Sequence, residues 1–184
     1  MVTGHVFIAT SLDGFIARPD GGLDWLFASD PGDEDHGYDA FISRMDGIIM
    51  GRGTYESVLT LGPWSYPKPV VVMSRSLTDA DVPAELAGRV RITAEPPRVL
   101  FERLSREGWR RAYVDGGAVI RSCLAEGLIE DLILTRAPVL IGMGRPLFGA
   151  IEQDLRLVHQ GTETFPSGLV QSRYSLPSPT QAHG

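Results

Sequence analysis

Apolar residues fall along this chain in short blocks separated by clusters of Gly, Asp and Pro. HVFIAT (His5–Thr10) is a short apolar run of the kind a buried strand gives, SLDG interrupts it as a turn, and FIA resumes as a strand end. RPDGGLDWLFASDPGDED, rich in Gly, Asp and Pro, reads as an exposed loop that could close over a site. From about residue 33 to 45, Tyr38, Phe41, Ile42 and Met45 recur with the helical period, and DGIIMG follows as a second buried strand. TYESVLTLG reads as a helix capped by Thr54 and stopped by Gly62 and Pro63, and PVVVMS as a third strand. VRIT (90–93) predicts a fourth strand. RVLFERLSRE (98–107) predicts an amphipathic helix with Val99, Leu100 and Leu104 inward, RAYVD a fifth strand, and AVIRSCLAEG a helix stopped by Gly127.

The alternation of strand and helix, with strands apolar throughout, predicts an α/β fold: a mainly parallel sheet covered by helices on both faces. The last third differs. DLILTRAPVLIG, DLRLVHQGTE and SGLVQSRYSL show period-two patterning with no helix between them, which predicts antiparallel strands finishing one edge of the same sheet. One domain over residues 1–176 and a polar, Pro-rich, frayed tail over 177–184 account for the whole chain of 184 residues.

Composition narrows the classes. With 43% hydrophobic and 22% charged residues the chain is an ordinary globular one, and its net charge of −6 opposes nucleic acid as a partner. No apolar run approaches the roughly 18–20 residues a membrane helix needs, so no membrane partner is expected. Cys123 is the single cysteine and no secretory signal opens the sequence, so a cytoplasmic protein is expected.

In an open α/β sheet the chemistry belongs at the carboxyl ends of the strands. In GRGTYE, Gly51 and Gly53 let the backbone approach a ligand, Arg52 adds a positive fork, and the helix start at Thr54 favours an anion. By itself this is as readily an ordinary Gly turn as a phosphate grip. Ser74 and Arg75 follow the next strand, where two Arg and a Ser would suit a 2′-phosphate and favour NADP over NAD. Gly116 and Gly117 link a strand to a helix whose free N–H groups could face a pyrophosphate, though such a pair also serves tight packing. None of these is the G-x-G-x-x-G fingerprint, since the sixth residue from Gly51 is Glu56 and the sixth from Gly142 is Leu147. Four scattered histidines give no metal cage, and neither a zinc-deaminase signature, a G-x-S-x-G elbow nor a Walker loop is present. Trp25 and Phe27 are expected to pack the core of their loop, with a lid as the alternative.

In order and spacing, IATSLDGFIA, IIMGRGTYES, VVVMSRSL, VDGGAVI and EDLILTRAPVLIGMGRPLF resemble the dihydrofolate-reductase-like family that includes the riboflavin-biosynthesis reductase domain. The resemblance spans roughly residues 2–175. It implies a three-layer sandwich around an eight-stranded sheet, NADPH bound across the strand ends, and hydride delivered to a small heterocyclic, carbonyl or imine substrate, as in 5-amino-6-(5-phosphoribosylamino)uracil reductase. By position it puts Gly51, Arg52, Gly53 and Thr54 at phosphates, Ser74 and Arg75 beside the adenosine ribose and its 2′-phosphate, and Gly116, Gly117, Ala118 and Val119 under the pyrophosphate. Ala9 and Ile16 flank the nicotinamide. Dihydrofolate reductase carries a substrate acid on its first helix, a position that falls on Asp35. The SLDG turn is shared with the riboflavin-type reductases and makes Asp13 the residue expected to touch substrate or assist proton transfer. Asp115 stands where dihydrofolate reductases have a glycine, an extra carboxylate near phosphates. A homodimer through the late sheet edge is also implied. The alternatives are dihydrofolate reductase proper and a non-catalytic NADP-binding module.

Overall fold

The computed structural model describes residues 1–30, 32, 34–150 and 154–177. In chain order its elements are β1 (Thr3–Thr10), β2 (Phe15–Ala17), α1 (Asp24–Ser29), α2 (Tyr38–Ser43), β3 (Gly47–Gly51), α3 (Arg52–Thr60), β4 (Val70–Met73), β5 (Val90–Thr93), α4 (Pro97–Arg106), β6 (Arg111–Asp115), α5 (Gly117–Ala125), β7 (Ile129–Arg136), β8 (Arg145–Pro146), β9 (Val158–Thr164) and β10 (Val170–Ser175). Eight strands form one sheet in the order β5-β4-β3-β6-β1-β7-β10-β9, and β2 pairs with β8 in a separate antiparallel ribbon.

Strands buried on both faces explain the continuous apolar runs. In β3, Ile49 packs into the layer of α4 and α5 with Leu100, Phe101, Leu104 and Ile120, whereas Ile48 and Met50 pack into the layer of α2 and α3 with Phe41, Ile42 and Tyr55. Each fully buried side chain of this size contributes roughly 1.5–3 kcal/mol. The result is the three-layer α/β sandwich, with its parallel strands aiming their carboxyl ends at one rim.

Several local expectations are corrected. Strand β7 runs parallel to β1 and not against it, because the crossover through α5 returns the chain in the same direction; the reversal comes only at β10, which is antiparallel to both β7 and β9. In α4 the inward residues are Leu100, Phe101 and Leu104, and Val99 is 44% exposed, so the helix is turned by one position from the phase expected. The helix cap of α3 is Gly51, with Thr54 inside the first turn. The segment read as a loop holds α1, whose Trp25 is 3% exposed and packs against Ala137 and Leu169. The helix expected from residue 33 is realised as α2, Asp33 itself lying outside the described residues, as does the expected tail from residue 178 onward. Among the described residues no helix is long and apolar enough to cross a membrane.

Candidate active site

Of the adjacent parallel strands, β3 ends in Gly51 and β6 is followed by Gly116, and each glycine passes directly into a helix. The N-termini of α3 and α5 therefore converge, and their first-turn N–H groups have no carbonyl acceptor within their own helices. Glycine is required at this junction. Gly116 has φ +88°, and a Cβ on it would stand 2.3 Å from Thr54 Oγ1. A Cβ on Gly117 would stand 2.8 Å from the Pro146 carbonyl oxygen, and one on Gly51 3.2 Å from Val119 Cγ2. The backbone cradle that a side chain would fill, together with the helix dipoles, suits an anionic group such as a dinucleotide phosphate.

This cradle opens on a cavity of about 1120 Å³ at the carboxyl rim of the sheet. The cavity lining brings together Ala9 from β1 and Ile16 from β2, Gly51, Arg52, Gly53 and Thr54 at the end of β3 and the start of α3, Ser74 and Arg75 after β4, and Gly116, Gly117, Ala118 and Val119 after β6. Within it, Arg52 is partly engaged: Nε lies 3.3 Å from Glu56 and Nη1 donates to Ser76 Oγ at 2.9 Å. Ser74 is buried, and its Oγ accepts the N–H groups of Ser76 and Leu77 at 3.2 and 3.0 Å, which shapes the turn presenting Arg75 and Ser76 to the cavity.

The two carboxylates expected on the substrate side do not line this cavity. Asp13 accepts hydrogen bonds from Ser11 Oγ (2.6 Å), Ile141 N–H (3.3 Å) and Gly142 N–H (2.8 Å). The Ser11 hydroxyl above all holds its carboxyl below the usual range, so Asp13 is a charged brace between the SLDG turn and the loop leading to β8. Asp35 lies before α2, exposed, and accepts the Gly37 N–H at 2.7 Å; the count that placed it on the helix fails because α2 begins at Tyr38.

The acid in the cavity wall is Asp115, at the end of β6. Gly116 N–H donates to its Oδ1 at 2.8 Å and the Tyr66 hydroxyl to its Oδ2 at 3.2 Å. Burial outweighs these bonds and raises its pKa from 3.8 to about 6. Around it stand Phe7, Tyr38, Tyr66 and Tyr113, all lining the same cavity. Phe7 and Tyr38 meet edge to face with centroids 5.6 Å apart, and the Tyr113 hydroxyl donates to the Phe7 carbonyl at 2.9 Å. Burial, followed by the Asp115 charge, pushes the Tyr38 phenol up to about 12. A carboxyl shared among phenols and set in an aromatic wall can exchange hydrogen bonds with the ring nitrogens and amino groups of a planar molecule. The sequence carried a signal for this group: Tyr113 and Asp115 are two apart on one strand and so share a face. Among the described residues no group of three or more His, Cys, Asp or Glu side chains is placed to hold a metal ion.

A family model described as RibD C-terminal domain matches residues 3–171. The chain is 33% identical over 162 residues to the uncharacterized protein YwjB of Bacillus subtilis (strain 168), covering 87% of this chain and 90% of that protein. Among solved structures, a protein of Shewanella sp. PV-4, provisionally named for riboflavin biosynthesis, has a TM-score of 0.89 at 37% identity over 96% of this chain and all 100% of its own. Dihydrofolate reductase from Enterococcus faecalis, solved with NADP(H), shares the fold at a TM-score of 0.64 and 14% identity, over 96% of this chain and 97% of that one.

Proposed function

This chain belongs to the RibD C-terminal domain family, and on that premise we propose that it is an NADPH-dependent reductase that delivers a hydride to a small planar heterocycle, similar in chemistry to 5-amino-6-(5-phosphoribosylamino)uracil reductase. The observation that carries the reading is the make-up of one cavity, which joins a glycine cradle between two helix N-termini, flanked by Arg52 and Arg75, to an aromatic wall around Asp115. The first part suits phosphates and the second a flat ring with hydrogen-bonding edges. NADPH bound across them would supply the hydride. The chain's own part is orientation and proton handling. Ala9 and Ile16 offer a small apolar seat for the nicotinamide, Arg75 and Ser76 a grip for the 2′-phosphate, and the Asp115 carboxyl can hold or release a proton near pH 6. Phe27, 60% exposed on α1 at the cavity mouth, limits the access of water.

Dihydrofolate reductase proper is the weaker reading, because α2 offers the cavity Tyr38 and no acid. We extend the proposal to a cytoplasmic homodimer joined at the β9 edge, supported by the exposed Leu155, Leu157 and Val158 there.

The test is titration of the protein with NADPH and NADH, followed by energy transfer from tryptophan to the nicotinamide, for wild type, Arg52→Ala and Arg75→Ala. We expect NADPH to bind roughly tenfold or more tightly than NADH, and the substitutions to erode that preference. Absence of binding by either nucleotide at millimolar concentration overturns the reading. Binding without oxidation by any pyrimidine or pterin favours a non-catalytic NADP-binding module.

A further inference from the structure

The ribbon of β2 and β8 carries a cation that none of the strand-end motifs includes. Arg145 lies on β8, and its side chain reaches over the first turn of α3, with Nη1 3.2 Å from the position a Cβ on Gly53 would take and Nη2 3.4 Å from that on Gly21. Among the described residues it has no carboxylate within ion-pair distance, and its one side-chain hydrogen bond runs from Nε to the Pro19 carbonyl at 3.3 Å. A guanidinium has five N–H donors, so most of them are left for a group that the protein does not provide.

Of the other cavity arginines, Arg75 also has no carboxylate or hydrogen-bond partner among the described residues, whereas Arg52 and Arg121 are engaged. Arg52 is shared with Glu56 and Ser76, and Arg121 directs Nη1 to the carbonyls of Pro146 (2.7 Å) and Leu147 (3.1 Å), which fixes the strand that carries Arg145. That strand is pinned on its other side by Asp13, through Ile141 and Gly142, and by the Leu147 N–H on the Gly14 carbonyl at 3.0 Å. It also spans both helix starts, with the Pro146 carbonyl against Gly117 of α5 while the Arg145 guanidinium rests on Gly53 of α3.

We propose that Arg145 is a positioning residue for the cofactor: it closes over the bridging phosphates of the dinucleotide from the β8 side, opposite the strand ends, making the ribbon a fixed clamp across the two helix N-termini. The inference rests on the NADPH reading. It assigns Arg145 to the pyrophosphate and not to the 2′-phosphate, because Gly53 and Gly117 follow β3 and β6, whereas Arg75 and Ser76 follow β4, one strand further out.

Direct titration of the full chain with NADPH and NADH, on wild type, Arg145→Gln, Arg145→Lys and Arg75→Gln, tests it without turnover. Because the pyrophosphate is common to both nucleotides, Arg145→Gln should weaken both by the same factor, about tenfold, and leave their ratio unchanged. Arg75→Gln should lower the ratio. Arg145→Lys should recover part of the loss, and the salt dependence of binding should flatten in Arg145→Gln. Dissociation constants in Arg145→Gln within twofold of wild type for both nucleotides, or a loss confined to NADPH, overturn the clamp while the NADPH reading stands. Failure of the wild type to bind either nucleotide overturns both.

Discussion

The Tyr66 hydroxyl donates to Asp115 Oδ2 at 3.2 Å across 49 positions of sequence, from the segment between α3 and β4 to the carboxyl end of β6. The bond ties a loop at one side of the cavity to the one acid that lines it among the described residues. It also works against burial: a hydrogen bond to the charged carboxylate lowers the pKa that desolvation has raised, and the net result near 6 leaves Asp115 able to change protonation in the neutral range.

That value makes stability depend on pH in a definite sense. Between the ordinary pKa of 3.8 and the folded value of about 6, the native state holds a proton that the unfolded chain has released. Folding stability therefore falls as pH rises through that window, and above pH 6 the whole penalty is present. At 1.36 kcal/mol per pH unit, the interval corresponds to at most about 3 kcal/mol. Asp115→Asn keeps the acceptor for Gly116 and loses the charge, so urea denaturation should find it more stable than wild type by about 1–3 kcal/mol at pH 7.5, with the difference vanishing near pH 4. Tyr66→Phe removes a bond to the charged form and should move the wild-type transition to higher pH. A difference between Asp115→Asn and wild type that stays flat from pH 4 to 8 would show that this carboxyl is not desolvated.

Gly116 and Gly14 separate backbone strain from crowding. Their φ angles are nearly the same, +88° and +87°, but a Cβ on Gly116 would meet Thr54 Oγ1 at 2.3 Å, whereas one on Gly14 meets nothing within 4 Å. Gly14→Ala should cost about 1–2 kcal/mol, the penalty of a side chain in the left-handed region. Gly116, with ψ 130°, holds a backbone conformation open in practice only to glycine, and Gly116→Ala must also displace the Thr54 hydroxyl from the cradle, so a total of about 3 kcal/mol or more is expected, with loss of nucleotide binding. Equal thermal destabilisation of the two variants would mean that the cradle yields without cost.

Much of the fold was legible because burial on both faces leaves a local mark. GIIMG and VVVM are apolar from end to end, RAYVD is apolar between its charged ends, and the glycines that close GIIMG and follow RAYVD mark the strand-to-helix junctions. What escaped was set by contacts distant in sequence. Nothing in Arg145–Pro146 marks a strand, since its two residues pair only with β2, some 130 positions earlier. The helical phase of α4 slipped by one because Val99 and Phe101 are both apolar, and the packing against α5 decides which points inward. The motif glycines and arginines were legible as a set, because each follows its strand directly. Asp115 was visible only as an oddity among phosphate-binding glycines; its partner Tyr66 lies in a segment without periodicity, so the pair exists only once β3 and β6 are adjacent.

Trp25 and Phe27 lie two positions apart on the short helix α1 and should respond to truncation in opposite ways. Trp25 is 3% exposed and packed against Ala137 and Leu169, so Trp25→Ala should destabilise the protein by about 3–5 kcal/mol. Its indole N–H has no partner among the described residues, so Trp25→Phe sacrifices no hydrogen bond and should cost far less. Phe27 is 60% exposed and lines the cavity, so Phe27→Ala should leave the denaturation midpoint within about 0.5 kcal/mol of wild type. If Phe27 shields the bound heterocycle from water, the same substitution raises KM for that substrate and leaves the NADPH dissociation constant unchanged. A drop in stability with Phe27→Ala, at unaltered KM, would assign Phe27 to packing of α1 instead.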